Sequence, residues 1–203
     1  MGSIDSKTEE IIFRAARKVF TRKGFDGARM QEIADEAGIN KALLHYYFRN
    51  KDKLFDRVFR DVVKSTLPQL IGIMNSDMPL FDKIRTFTST YIDILSGNPE
   101  FAGFVFHELS RNPYRLLESL KESGPNLRVL ENQIKEAALS GKIEYIPVTH
   151  LVVNMMSLIA LPFIAQPVIM GMFSMNPEDF DAFIRERKEL VPQTIIHSII
   201  KRP

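Results

Sequence analysis

Residues 30–55 read MQEIADEAGINKALLHYYFRNKDKLF, and the fold turns on how this stretch is read. A short helical pattern is broken by Gly38 and restarts at once, with two tyrosines, a histidine and several cations packed behind the break. In residues 30–39 the inward positions are Ile33, Ala34 and Ala37, small enough for a second helix to cross closely. Gly38 takes the backbone to positive φ, which a residue with a Cβ resists. Asn40 is a good N-cap for the next helix, and Ile39 and Leu44 have the spacing of a hydrophobic staple. The expectation is helix, tight turn, helix at a fixed angle, the unit whose second helix enters the major groove of DNA.

Projected at about 100° per residue, the second helix turns Leu44, Tyr47 and Phe48 toward a small core. Lys41, Ala42, His45 and Tyr46 fall on the opposite side, with Leu43 at the boundary. That outer face can donate to base edges, touch a thymine methyl and reach a phosphate. A third helix follows at once, capped by Asn50. The free amides at its start, beside Lys51, make a phosphate site.

Upstream, Ile12, Ala15, Ala16, Val19 and Phe20 form one apolar stripe. Ser6 and Glu9 have capping-box spacing, and Gly24 sits where a left-handed C-terminal cap is wanted. Further helices are expected near 51–66, 80–96, 99–111, 113–122, 126–140, 147–161, 166–174 and 178–201, with a loop around Ile73–Pro79. Period-two alternation is almost absent, so the fold class is all-α.

Composition agrees with this division. The 203 residues are 45% hydrophobic and 26% charged, ordinary for a globular chain, and there is no cysteine, which excludes disulfides and thiolate metal sites. Residues 1–60 hold 13 Lys and Arg against 9 Asp and Glu, a net of +4, whereas the remainder is net −2. A polyanion is therefore expected to meet the N-terminal part. All eleven prolines lie from Pro68 onward. The N-terminus lacks an apolar run, so no secretory leader and a cytoplasmic location are expected. Ile146–Pro177 carries no Asp, Glu, Lys or Arg, but Asn154, Gln166, Pro162 and Pro167 argue for helices buried in protein rather than a membrane span.

Residues 8–55 resemble the DNA-binding domain of TetR-family transcriptional regulators: Ile33–Ala34, Ala37–Gly38, Leu44, Phe48, Lys51 and Leu54 stand where that pattern has them. The resemblance implies a three-helix DNA-binding domain over 1–55 and a larger helical effector-binding and dimerisation domain over 56–203. It implies base contacts from Lys41, Ala42, Leu43 and His45, with Gln31 from the preceding helix, and backbone contacts from Tyr46, Tyr47 and Lys51. Two positions depart from the pattern. The family usually has Tyr where His45 stands, so His45 reads either a base or a phosphate. It usually has a Thr or Ser cap where Arg29 stands, and Arg29 is assigned a phosphate.

The implied protein is a homodimer on double-stranded operator DNA, a repressor released by a small, largely apolar effector, with no cofactor. Two helices near the C-terminus are the candidates for pairing: one striped with Phe180, Phe183, Ile184, Ile195, Ile196, Ile199 and Ile200, the other built on Val148, Leu151, Val152, Met155, Leu158 and Ile159. Phe87, Tyr91, Phe101, Phe104, His107, Asn154 and Met156 combine rings, a thioether and polar tips and suit an effector pocket, though ordinary core packing would use them too. A helical carrier of hydrophobic molecules without DNA function is the alternative. An enzyme is disfavoured: His107–Glu108 begins a zinc-protease motif, but Arg111 stands where its second histidine belongs.

Overall fold

The computed structural model describes residues 2–201, side chains of 2–6 and 122–123 excepted. Among these the chain forms twelve helices: α1 Gly2–Gly27, α2 Met30–Glu36, α3 Lys41–Tyr47, α4 Lys51–Thr66, α5 Pro68–Asn75, α6 Leu80–Gly97, α7 Pro99–Arg111, α8 Pro113–Ser123, α9 Leu127–Leu139, α10 Val148–Ile164, α11 Gln166–Phe173 and α12 Pro177–Ile199. The all-helical reading holds, with one isolated bridge, Ile143 to Ile200. The chain divides into two compact units. One takes the residues up to Ser65 together with Gly103–Glu122, and the other takes Thr66–Ala102 with the chain from Ser123 onward. The functional boundary expected at residue 55 falls within α4.

Three local expectations are corrected. α1 begins at Gly2, upstream of Ser6, so Ser6 does not start the helix. Gly24 has φ 66° but ψ −175°, an extended mirror-image conformation that only glycine adopts readily, rather than a left-handed cap. The segment at 68–75, for which no helix was expected, is α5, opened by Pro68 in its first turn.

The first unit packs around phenylalanines. Ile12, Ala15, Ala16, Val19 and Phe20 of α1 are buried, as are Leu54, Phe55, Val58 and Phe59 of α4. Phe55 lies edge-on to Phe20 at 4.9 Å and meets Phe104 of α7 at 5.5 Å. Arg17 pairs with Asp61 at 3.2 Å and Arg57 with Glu9, tying α1 to α4.

In the second unit α6 packs against α5, α9, α10 and α12. Ile84, Ile92 and Leu95 of α6, Leu151, Met155 and Ile159 of α10, and Phe180, Ile184, Val191 and Ile195 of α12 fill its core. Lys83 is buried, and its ammonium donates to the Met74 and Ser76 carbonyls at the end of α5, at 3.0 and 2.7 Å. Burial pulls its pKa down, against a smaller upward pull from Asp77.

Pro162 lies inside α10 and has no amide hydrogen, so the Leu158 carbonyl one turn earlier has no donor in its own helix. The Arg187 guanidinium of α12 donates to that carbonyl at 2.6 Å. The helix therefore runs through its proline to Ile164, three residues beyond the expected end.

No single helix among the described residues is long and apolar enough to cross a membrane. α10 and α11 pass that test only as a pair bent by 71°.

The proline and the arginine should be thermodynamically coupled. Arg187→Met is expected to cost about 1–3 kcal/mol in urea unfolding, because it strands a carbonyl. The cost should fall clearly in a Pro162→Ala background, where the alanine amide takes over. Equal losses in both backgrounds would show that the arginine acts otherwise.

Candidate nucleic-acid interface

The turn between α2 and α3 is a closed hydrogen-bonded unit. Gly38 has φ 66°. Its amide donates to Asp35 O at 3.1 Å, and the Ile39 amide donates to Ala34 O at 3.0 Å. These two bonds are the Schellman pattern, which uses the last carbonyls of α2 to turn the chain. A Cβ on Gly38 would meet nothing within 4 Å, so the demand for glycine is purely conformational. The Asn40 side chain then accepts from the Leu43 amide at 2.8 Å and starts α3 two residues after α2 is sealed.

At the front of α2, Arg29 is the N-cap residue, and no hydroxyl is there to accept from the helix. Glu32 supplies half of a capping box instead, accepting from the Arg29 amide at 3.2 Å and from the Lys23 ammonium at 2.6 Å. The bond from Lys23, then that from Arg29, holds its carboxyl below the ordinary glutamate range. Glu36 is lowered in the same way by Lys18, at 2.6 Å. The sign follows from linkage: both contributions are complete above the usual carboxylate range and vanish as pH falls through the lowered values. Both pairs are solvent-exposed and contribute little; their work is to join α1 to α2.

With α3 so placed, Leu44 alone of its residues is buried. Lys41, Ala42, Leu43, His45 and Tyr46 are exposed, Tyr46 at 72%, while Tyr47 and Phe48 are half-buried. Tyr47 stands edge-on to Tyr46 at 5.3 Å. Arg29 and Gln31 are exposed on the neighbouring element, and Gln31 donates to Asp35 at 2.8 Å. Lys51 is half-buried at the start of α4, its ammonium 4.4 Å from the centre of the Phe25 ring. The nine residues expected to meet DNA thus lie within one short run of the first unit.

The effector candidates scatter. Phe87 and Tyr91 are buried together in the second unit with ring centres 5.9 Å apart, and burial pushes the Tyr91 hydroxyl up to about 12. Phe101 is buried. Phe104 belongs to the first unit's core, against Phe55 and Phe59. His107, Asn154 and Met156 are exposed. A cleft of about 610 Å³ in the second unit is lined instead by residues such as Asp77, Phe81, Arg85, Gln133 and Lys142.

Residues 12–58 match the family described as bacterial regulatory proteins, tetR family. Over that segment the chain is similar to the TetR family. It is 39% identical over 128 residues to the transcriptional repressor NicS of Pseudomonas putida, covering 63% of this chain and 58% of NicS. It is 27% identical over 152 residues to the transcriptional regulator RutR of Escherichia coli, covering 72% and 69%. A linker-substituted mutant of HlyIIR superposes with a TM-score of 0.64 at 25% identity, covering 97% of this chain and 99% of that one. The matched segment and these relatives support a DNA-binding transcriptional regulator.

The turn should behave as a separable device. Asn40→Ala and Gly38→Ala are each expected to cost about 1 kcal/mol in urea unfolding, through the lost cap and the strained φ respectively. Asn40→Ser should recover most of the first loss. If Asn40→Ala matches the wild type, the cap does not hold α3.

Proposed function

We propose that the protein is a homodimeric repressor whose α3 helices enter successive major grooves of an operator and leave when an effector binds within residues 56–203. One observation supports this reading above the others. α3 is capped at one end, sealed against α2 by the Schellman turn, and buries only Leu44, so its outer face is free for a ligand as long as itself. Lys41, Ala42, Leu43, His45 and Gln31 are assigned to base edges. Arg29, Tyr46, Tyr47 and Lys51 are assigned to the phosphate backbone. Residues 1–55 carry DNA contact, and residues 56–203 carry effector binding and pairing.

Pairing is assigned to the outer side of the C-terminal helices. The stripe on α12 that drew attention in the sequence is spent inside the subunit: Phe180, Ile184, Ile195, Ile196 and Ile199 are buried. α10 is apolar on two sides, and its second side stays uncovered, with Val153 and Leu161 each 59% exposed. Met172 and Phe173 of α11 and Leu190 of α12 are exposed as well. A second copy covering such surface is the ordinary fate of large exposed apolar residues. The effector shifts the protein between spacings of the two α3 helices only by its difference in affinity for them.

Electrophoretic mobility shifts on the DNA upstream of the protein's own gene, repeated across salt concentrations, test the DNA assignments. Lys51→Ala should weaken binding to all sequences alike and reduce the salt slope by about one. His45→Ala should alter preference at one or two base pairs, each worth roughly 1–3 kcal/mol. A uniform loss from both would remove His45 from base reading, and a flat, weak, unsaturable response would favour a carrier of apolar molecules.

Sedimentation tests the pairing. Val153→Asp combined with Leu161→Asp should yield a folded monomer with weakened operator binding. A dimer that survives the double change places the pairing surface elsewhere.

A further inference from the structure

Phe25 follows the Gly24 turn, and its ring lies edge-on to Phe55 of α4 with centres 5.1 Å apart. Two cations use this one ring. The Lys51 ammonium is 4.4 Å from its centre, and the Arg111 guanidinium of α7 is 3.6 Å from it. A guanidinium on a phenyl face is held by the ring quadrupole and by stacking.

Arg111 is not a loose surface side chain. Its Nε donates to Glu108 at 3.3 Å, and its Nη2 lies 3.7 Å from Asp52, next in sequence to Lys51. The Glu108 side chain is 2% exposed, and its other oxygen accepts from Arg115 at 2.7 Å. Arg115 reaches Asp52 and Asp56 of α4 at 3.3 Å each. The guanidinium over Phe25 is thus anchored through a buried carboxylate to the first turns of α4.

Beside this cluster is a cleft of about 190 Å³ lined by Phe25, Phe55, Phe104, His107, Glu108 and Arg111 among others. That is about the size that takes a single benzene ring. Without the guanidinium to hold it, the Phe25 ring has somewhere to go.

We propose that Arg111 is a positioning residue for DNA binding: it holds the Phe25 ring out of the cleft as the seat of Lys51, and so sets where that ammonium meets the phosphate backbone. The proposal rests on Lys51 touching a phosphate, as assigned above. It makes the end of α7, far along the chain from α3, part of the machinery that sets affinity without reading sequence.

A double-mutant cycle of Lys51→Ala and Arg111→Leu, with binding to the upstream DNA measured across salt concentrations, tests it. Arg111→Leu should lower affinity roughly threefold and reduce the salt slope by up to about one. The double mutant should be no worse than Lys51→Ala alone. Phe25→Leu should reproduce the Arg111→Leu result, and Phe25→Trp should not. Thermal melts establish that each variant is folded, and Phe25→Leu carries the test if Arg111→Leu is not. Additive slope losses would mean that Arg111 touches DNA by itself, and an unchanged slope would mean that it does not govern Lys51; either overturns the proposal while leaving the phosphate assignment intact. An unchanged slope for Lys51→Ala removes that assignment and the proposal together.

Discussion

Helices of seven residues do not persist alone in water, because the first turn costs more than so few bonds return. α2 and α3 are both of this length, and the face assigned to base reading is on the second of them. Their stability must therefore come from their ends and from what they lean on. The ends are settled within three residues: Gly38 and Ile39 take up carbonyls of α2, and Asn40 takes up an amide of α3. These bonds satisfy part of the corner's orphan backbone groups and restrain the angle between the helices. A side chain that reads bases must be held to a fraction of an ångström, and here the backbone does the holding.

What the pair leans on is aromatic and charged. α2 packs on α1 and on α3, with Ile33, Ala34 and Leu44 buried, and Phe20 of α1 meets Phe55 of α4. Ion pairs at the edges bring α1 to α2 and α1 to α4, but they are exposed and individually weak. The apolar contacts supply most of the stabilisation, and the pairs select one arrangement among those that bury similar area. The +4 charge of residues 1–60 tells a similar story. Four charges are too few to hold a polyanion at physiological salt by themselves, so location matters more than their sum.

The parts legible in the sequence were those made by neighbours in the chain. Gly38, Asn40 and the outward set Lys41, Ala42, His45 and Tyr46 follow from local rules, and the structure keeps each of them. The α1 stripe was legible for the same reason. α5 was not, because it is only eight residues long and opens on Pro68, which occupies the one turn that tolerates a proline. The clustering of Phe104, Glu108, Arg111 and Arg115 with α4 depends on contacts across forty-five residues or more, and no periodicity reports those. Buried Lys83 and the Arg187 bond to α10 were hidden too. A lysine and an arginine in helices read as solvated until a carbonyl opposite them is known to lack its donor.

That last point bears on how the second unit can change shape. A proline inside a helix normally leaves an opening where the helix bends. In α10 the opening is filled by a side chain from α12, so a bend in one helix is tied to the position of the other. The same two helices carry the uncovered apolar side assigned to the second subunit. The Arg187 bond is a directional contact, so its strength depends on how α12 sits against α10. Any effector that moves α10 against α12 has to act on that bond. In the proposed dimer its consequence would appear at the surface assigned to pairing.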